Sequence, residues 1–196
     1  MRGYYLLILI FLAIFTLNSA PVLLPVTPII QKKDFCGEAS VAMILTLYGK
    51  PVSQDYVHDS LFGLSHTQRG AYSTEMVSSL RRAGYSIVTE SHYPLNTREY
   101  LPEATRTRLI QLFKKSIDEA QPVIYGWYPQ REIITTFYGH FSVIVGYDES
   151  GFYIIDPRIE HIIFYTYEDF SRYLLLPTLD FKQWGYFFLI LGRDKS

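Results

Sequence analysis

Cysteine is nearly absent from the chain, with one residue, Cys36, among 196. A single cysteine excludes an internal disulfide, so the apolar core must hold the fold without covalent help. An excess of either charge is also missing, with 18 basic against 19 acidic side chains. No basic stripe or block stands out, which argues against nucleic acid as the main partner. The chain has no Walker loop, no dinucleotide-type glycine fingerprint, no His-Glu-x-x-His, no Cys-x-x-Cys and no Gly-x-Ser-x-Gly. The five histidines do not pair at metal-ligand spacing. Neither a metal nor any other cofactor is therefore expected.

Apolar residues, by contrast, are plentiful at 48%, which excludes a disordered chain, and a length of 196 residues favours one domain with a sizeable core. Aromatic residues reach 16%, mostly Tyr and Phe. They suit a β-rich core with amphipathic Tyr at its rim, with an aromatic groove for sugars or peptides as the other reading.

The N-terminus has the form of an export signal. Arg2 supplies a positive start, residues 4–17 are almost unbroken apolar sequence, and Asn18, Ser19 and Ala20 are of the kind that signal peptidase accepts. The run is short for a bilayer span. Cleavage near Ala20 is expected, giving a signal at residues 1–20 and one domain at 21–196 in a secreted or extracytoplasmic protein. Because Val22, Leu23 and Leu24 prolong the apolar stretch, the alternative is an uncleaved anchor through residues 4–17, and only that would attach the protein to a membrane. No cysteine directly follows the run, which excludes a lipoprotein anchor. A lone thiol in an oxidising compartment is a liability unless it is buried or useful.

After an extended lead-in, residues 36–48 read as a helix apolar nearly all round, as a core helix is. Gly49 and Pro51 stop it, and Asp34 is a candidate N-cap. Helices are also expected over 53–62, capped by Ser53, over 73–83 and over 106–120, with a short one over 167–173. Strands are expected at 87–90, 122–127, 141–147, 152–155, 162–166 and 186–191, with a hairpin turn at 148–151. Helices first and an antiparallel sheet afterwards make an α+β fold.

The residues that can carry chemistry are Gln31, Cys36, His140 and Asp156. A helix N-terminus and a nearby imidazolium lower the pKa of a thiol and make it a nucleophile, and Cys36 is placed at such a terminus. His140 precedes a strong strand, where a base is held rigidly. Asp156 ends the next strand across the expected hairpin and can fix the imidazole tautomer. The Gln31 amide and the Cys36 backbone N–H can form an oxyanion hole. Taken separately, each has a plain reading: a buried small residue, a polar strand end, an Asp-Pro turn, a surface amide. Among the other histidines, His58 is expected on a helix surface, His66 and His92 in polar segments, and His161 at a strand start.

The segment Gln31-Lys32-Lys33-Asp34-Phe35-Cys36-Gly37-Glu38-Ala39-Ser40-Val41-Ala42-Met43-Ile44-Leu45, closing with Tyr48-Gly49, resembles the active-site helix of the bacteriocin-processing, double-glycine cysteine peptidases. It is most similar to their stand-alone relatives, which lack a transporter. Gly139-His140-Phe141-Ser142-Val143-Ile144-Val145-Gly146-Tyr147-Asp148 resembles the His strand of that family, Ile154-Ile155-Asp156-Pro157-Arg158 its Asp-Pro segment, and Gln121-Pro122-Val123-Ile124 the strand that precedes the His. The likeness spans most of residues 26–191. It implies a papain-like fold in which the active-site helix is buried against an antiparallel sheet. It also implies Cys36 as nucleophile, His140 as base, Asp156 as orienter and Gln31 in the oxyanion hole. One departure stands out: the family usually has Pro after Cys-Gly, and this chain has Glu38. Asp34 and Glu38 flank the thiol, and carboxylates there disfavour a thiolate.

The leading expectation is a monomeric thiol hydrolase that cleaves peptide bonds in a peptide or protein substrate through an acyl-enzyme. The alternatives are a cell-wall amidase or acyl transferase using the same thiol, and a non-catalytic exported binding or scaffold protein on the same fold.

Overall fold

The computed structural model describes residues 20–91, 102–127, 139–174 and 187–193. The helical part comes first: α1 (Cys36–Leu47), α2 (Gln54–Tyr56) running on into a π-helical turn (Val57–Leu61), and α3 (Ser73–Arg82). Two further helices, α4 (Glu103–Asp118) and α5 (Tyr167–Leu174), lie among the strands. The strands are β1 (Val22–Leu23), β2 (Ile87–Ser91), β3 (Val123–Trp127), β4 (His140–Tyr147), β5 (Gly151–Ile155), β6 (Ile162–Thr166) and β7 (Phe187–Leu191). They form one antiparallel sheet in the order β2-β7-β3-β4-β5-β6, with β1 pairing the far end of β4. This is the expected α+β arrangement.

Strand alternation divides the sheet between two cores. Phe141, Val143 and Val145 of β4 pack with α1 and α3, while Ile144 joins Leu109, Phe113 and Ile117 of α4 and Phe170 of α5. A sheet covered on both faces explains why β4 is an almost unbroken apolar run. The ten residues from Cys36 to Leu45 are all buried, so α1 is the core helix its composition requires. Ser40 stays compatible with that burial by donating its hydroxyl to the Cys36 carbonyl at 2.7 Å.

Several local expectations need correction. Asp34 does not cap α1; it sits in a left-handed turn (φ 64°) and the helix begins without a side-chain cap. The helix expected from 106 starts at Glu103 behind Pro102, whose fixed φ suits a helix entry. β1 was not expected, because two residues give no periodic signal. Ser53 does cap its helix, accepting the N–H of Tyr56 at 3.1 Å. The apolar run 4–17, His92 and Tyr186 lie outside the described residues. Among the described residues no helix is long and apolar enough to cross a membrane.

Candidate active site

The N-terminus of α1 abuts the start of β4. Gly37 makes this approach possible: a Cβ there would lie 2.9 Å from Met76 Sδ and 3.4 Å from Phe141 Cδ2. Cys36 is only 8% exposed, and its helix turn packs on Phe141, the residue after His140. Burial pushes the thiol up to about 11; the Phe141 hydrogen bond opposes the shift and the Glu38 carboxylate reinforces it. The sequence led us to expect a depressed thiol. The structure shows the opposite for the resting state, because desolvation outweighs the backbone donors at the helix start.

His140 and Asp156 are in direct contact, with Nε2 2.6 Å from Oδ1 and both residues buried. The register accounts for this. Val143 pairs with Ile155, so Asp156 comes opposite Ser142, and His140 is its diagonal neighbour on the same face. With Nε2 engaged by the carboxylate, Nδ1 is the ring nitrogen left for other partners. Asp156 also accepts hydrogen bonds from the Arg158 backbone N–H at 2.9 Å and from both Nε and an Nη of its guanidinium. Burial works against the carboxylate, but the His140 and Arg158 hydrogen bonds outweigh it and hold its pKa well below the usual range.

Two residues that sequence reasoning missed complete this pair. Trp127 is the β3 partner of His140 and meets its ring edge-on at 5.6 Å, with its indole N–H donated to Ser142 Oγ at 2.9 Å. The Arg158 guanidinium lies over the same indole at 5.3 Å. Arg158 stood two places beyond Asp156, the offset of a local side-chain clamp. Trp127 had no such signal, since pairing across residues 128–138 cannot be read from spacing.

Gln31 reaches the same end of the sheet. Its backbone N–H donates to the carbonyl of Pro157 at 2.8 Å, beside Asp156. Its Oε1 is buried with no partner among the described residues. A half-turn of the amide exchanges that oxygen for the Nε2 donor an oxyanion requires.

Glu38 is fully buried, and its Oε1 accepts the N–H of Ala71 at 2.9 Å. A Cβ on Gly70 would fall 1.8 Å from the Asp34 carbonyl, so only glycine lets this loop lie on the Cys36 turn. His58 is not on the surface, as its helical pattern suggested; it is 3% exposed. The π-helical turn directs it inward, where it stacks on Phe35 at 4.5 Å and contacts the Arg69 carbonyl at 3.1 Å through Nε2. Burial lowers its proton affinity, but hydrogen bonds to Asp59 and the Arg69 carbonyl, with the charge of Glu38, raise it overall. His66 and His161 are exposed. Among the described residues no group of His, Cys, Asp and Glu could hold a metal ion.

The model of the Peptidase C39-like family matches residues 23–174, a span that contains Gln31, Cys36, His140 and Asp156. The chain belongs to the peptidase C39-like family. Its fold is that of C39 peptidase domains. The peptidase domain of Streptococcus ComA, a bi-functional ABC transporter involved in a quorum-sensing pathway, is similar with a TM-score of 0.56 and 16% identity over 86% of this chain and 98% of that domain. A C39-like peptidase from Bacillus anthracis is similar with a TM-score of 0.57 and 18% identity, over 90% of this chain and all of that one. Among curated proteins none matches the chain significantly. Within this C39-like fold Glu38 has a structural role, anchoring the 69–71 loop to the helix that carries Cys36.

Proposed function

We propose that the protein is an exported thiol hydrolase that cleaves peptide bonds through an acyl-enzyme on Cys36. The observation that carries this reading is the buried His140–Asp156 pair at 2.6 Å, at the start of the strand on which the N-terminus of α1 packs. In this reading His140 Nδ1 takes the thiol proton as the sulfur attacks the substrate carbonyl. Because the resting thiol is held neutral, proton transfer accompanies attack rather than preceding it. The carbonyl oxygen becomes an oxyanion, received by the Gln31 amide and the Cys36 N–H. Collapse breaks the C–N bond, the amine leaves with the proton from imidazolium, and a thioester remains on Cys36. Water, deprotonated by His140, then releases the acid and restores the thiol. Asp156 stays ionised throughout and holds the imidazole.

Incubation with an internally quenched peptide library, followed by mass spectrometry of Cys36, tests the proposal. Cleavage that disappears in Cys36→Ala, together with alkylation of Cys36 by a peptide chloromethyl ketone in the folded protein, is the expected result. The thiol's burial favours one competing reading, a non-catalytic binding protein. Labelling of Cys36 only after unfolding would establish that reading and overturn ours.

A further inference from the structure

Resting on the hydrolase reading, we propose that Gln54 is a positioning residue that fixes the Gln31 side of the oxyanion hole. Gln54 lies in the first turn of α2, only 9% exposed. Its carboxamide spends both functions on the chain around Gln31: Nε2 donates to the Ile30 carbonyl at 2.7 Å and Oε1 accepts the Lys32 N–H at 2.8 Å. The two bonds bracket Gln31, whose own N–H goes to Pro157 at 2.8 Å. Three consecutive backbone groups of an extended, irregular segment are thus satisfied, two by one buried side chain. Besides Gln54, the described bonds of the Ile30–Lys32 stretch are the Gln31 N–H to Pro157, the Phe35 N–H to the Lys32 carbonyl and the exposed Lys32 Nζ–Asp55 pair, and none of these holds the Ile30 carbonyl or the Lys32 N–H. No other residue type of this length presents a neutral donor and acceptor together, so the geometry reads as selected for an amide.

An oxyanion donor acts through its position, since a misplacement of about 1 Å can cost on the order of a hundredfold in rate. Gln54 touches neither substrate nor thiol in this scheme; it acts only through Gln31. That makes the two residues non-additive, which a purely structural contribution to stability would not be.

Turnover of the best-cleaved quenched peptide would be measured for the wild type, Gln54→Ala, Gln54→Glu, Gln31→Ala and the double variant Gln31→Ala/Gln54→Ala, with folding checked by circular dichroism. Gln54→Ala is expected to lower kcat roughly ten- to a hundredfold with KM little changed. Gln54→Glu, which keeps the acceptor for Lys32 and loses the donor to Ile30, should lower kcat less. The double variant should be no slower than Gln31→Ala alone. Unchanged kcat in a folded Gln54→Ala, or losses that multiply in the double variant, would overturn the inference while leaving the hydrolase reading intact. If Gln54→Ala does not fold, a Gln54→Glu with wild-type kcat overturns it equally. A wild-type protein that cleaves no peptide retires both.

Discussion

Asp156 lies between two partners: His140 Nε2 on one side at 2.6 Å and the guanidinium of Arg158 on the other. Together the two contacts outweigh the cost of burial: the His140 and Arg158 hydrogen bonds keep the carboxylate ionised well below ordinary carboxylate pH, so it remains an acceptor for the imidazole.

In the proposed reaction nucleophile and base act as a unit, so Cys36→Ala and His140→Ala should each cost roughly a thousandfold or more in turnover, and the pair together little more. Asp156→Asn should leave measurable activity, because Trp127 still abuts the His140 ring. Steady-state rates on the same peptide check the ranking.

Asp156 also predicts an acid limit. Its folded pKa lies below its unfolded value of about 3.9. Its contribution to stability is therefore present above that value and lost as pH falls through it toward the depressed one. Thermal melts should show stability falling steeply below about pH 4 in the wild type. The fall should be shallower in Asp156→Asn, which is the less stable protein at neutral pH.

The neutral thiol makes a different pH statement. Folding raises its pKa to about 11, so its contribution to stability is full below the unfolded value of about 8.5 and lost as pH rises through the folded one. The rate of iodoacetamide alkylation should go on rising well beyond the range where a free thiol peptide levels off. Glu38→Gln keeps an acceptor for Ala71 and removes the charge, so its alkylation curve should move to lower pH. Identical curves for the two proteins would show that Glu38 does not reach the thiol electrostatically.

His58→Ala removes a buried stacked ring and a contact to the Arg69 carbonyl. A loss of about 2–3 kcal/mol in denaturant unfolding is expected. Exposed His66→Ala and His161→Ala should each stay within about 0.5 kcal/mol of the wild type.

Export predicts a chain end. In the extracytoplasmic fraction the N-terminal residue should be near Pro21, directly before β1; Met1 in a soluble cytoplasmic fraction would refute it. N-terminal sequencing distinguishes these outcomes.

The helices, the strands and the antiparallel sheet were legible because periodicity and glycine or proline stops are local. Cys36, His140 and Asp156 were legible because each sits at the end of such an element. What remained hidden depends on contacts across long stretches of chain. The inward turn of His58 needs a π-helical insertion, which shifts the face by one residue and leaves no mark in the pattern. Glu38 reads from the sequence as a charge pressing on the thiol, and it is one; the Ala71 N–H it also serves shows only in the fold. Trp127 needed the register of β3 on β4.

The strand order has a consequence for how this fold assembles. β7, the last described strand, lies between β2 and β3 rather than at an edge. Its five residues are all buried and contribute to both cores. Until residues 187–191 are available, β2 lacks the one neighbour it has among the described residues and cannot join the contiguous strands β3 to β6. A chain still being synthesised carries the α1 helix early, but the sheet on which that helix packs still lacks the strand that joins β2 to β3. The strand order makes closure of the sheet wait on residues 187–191.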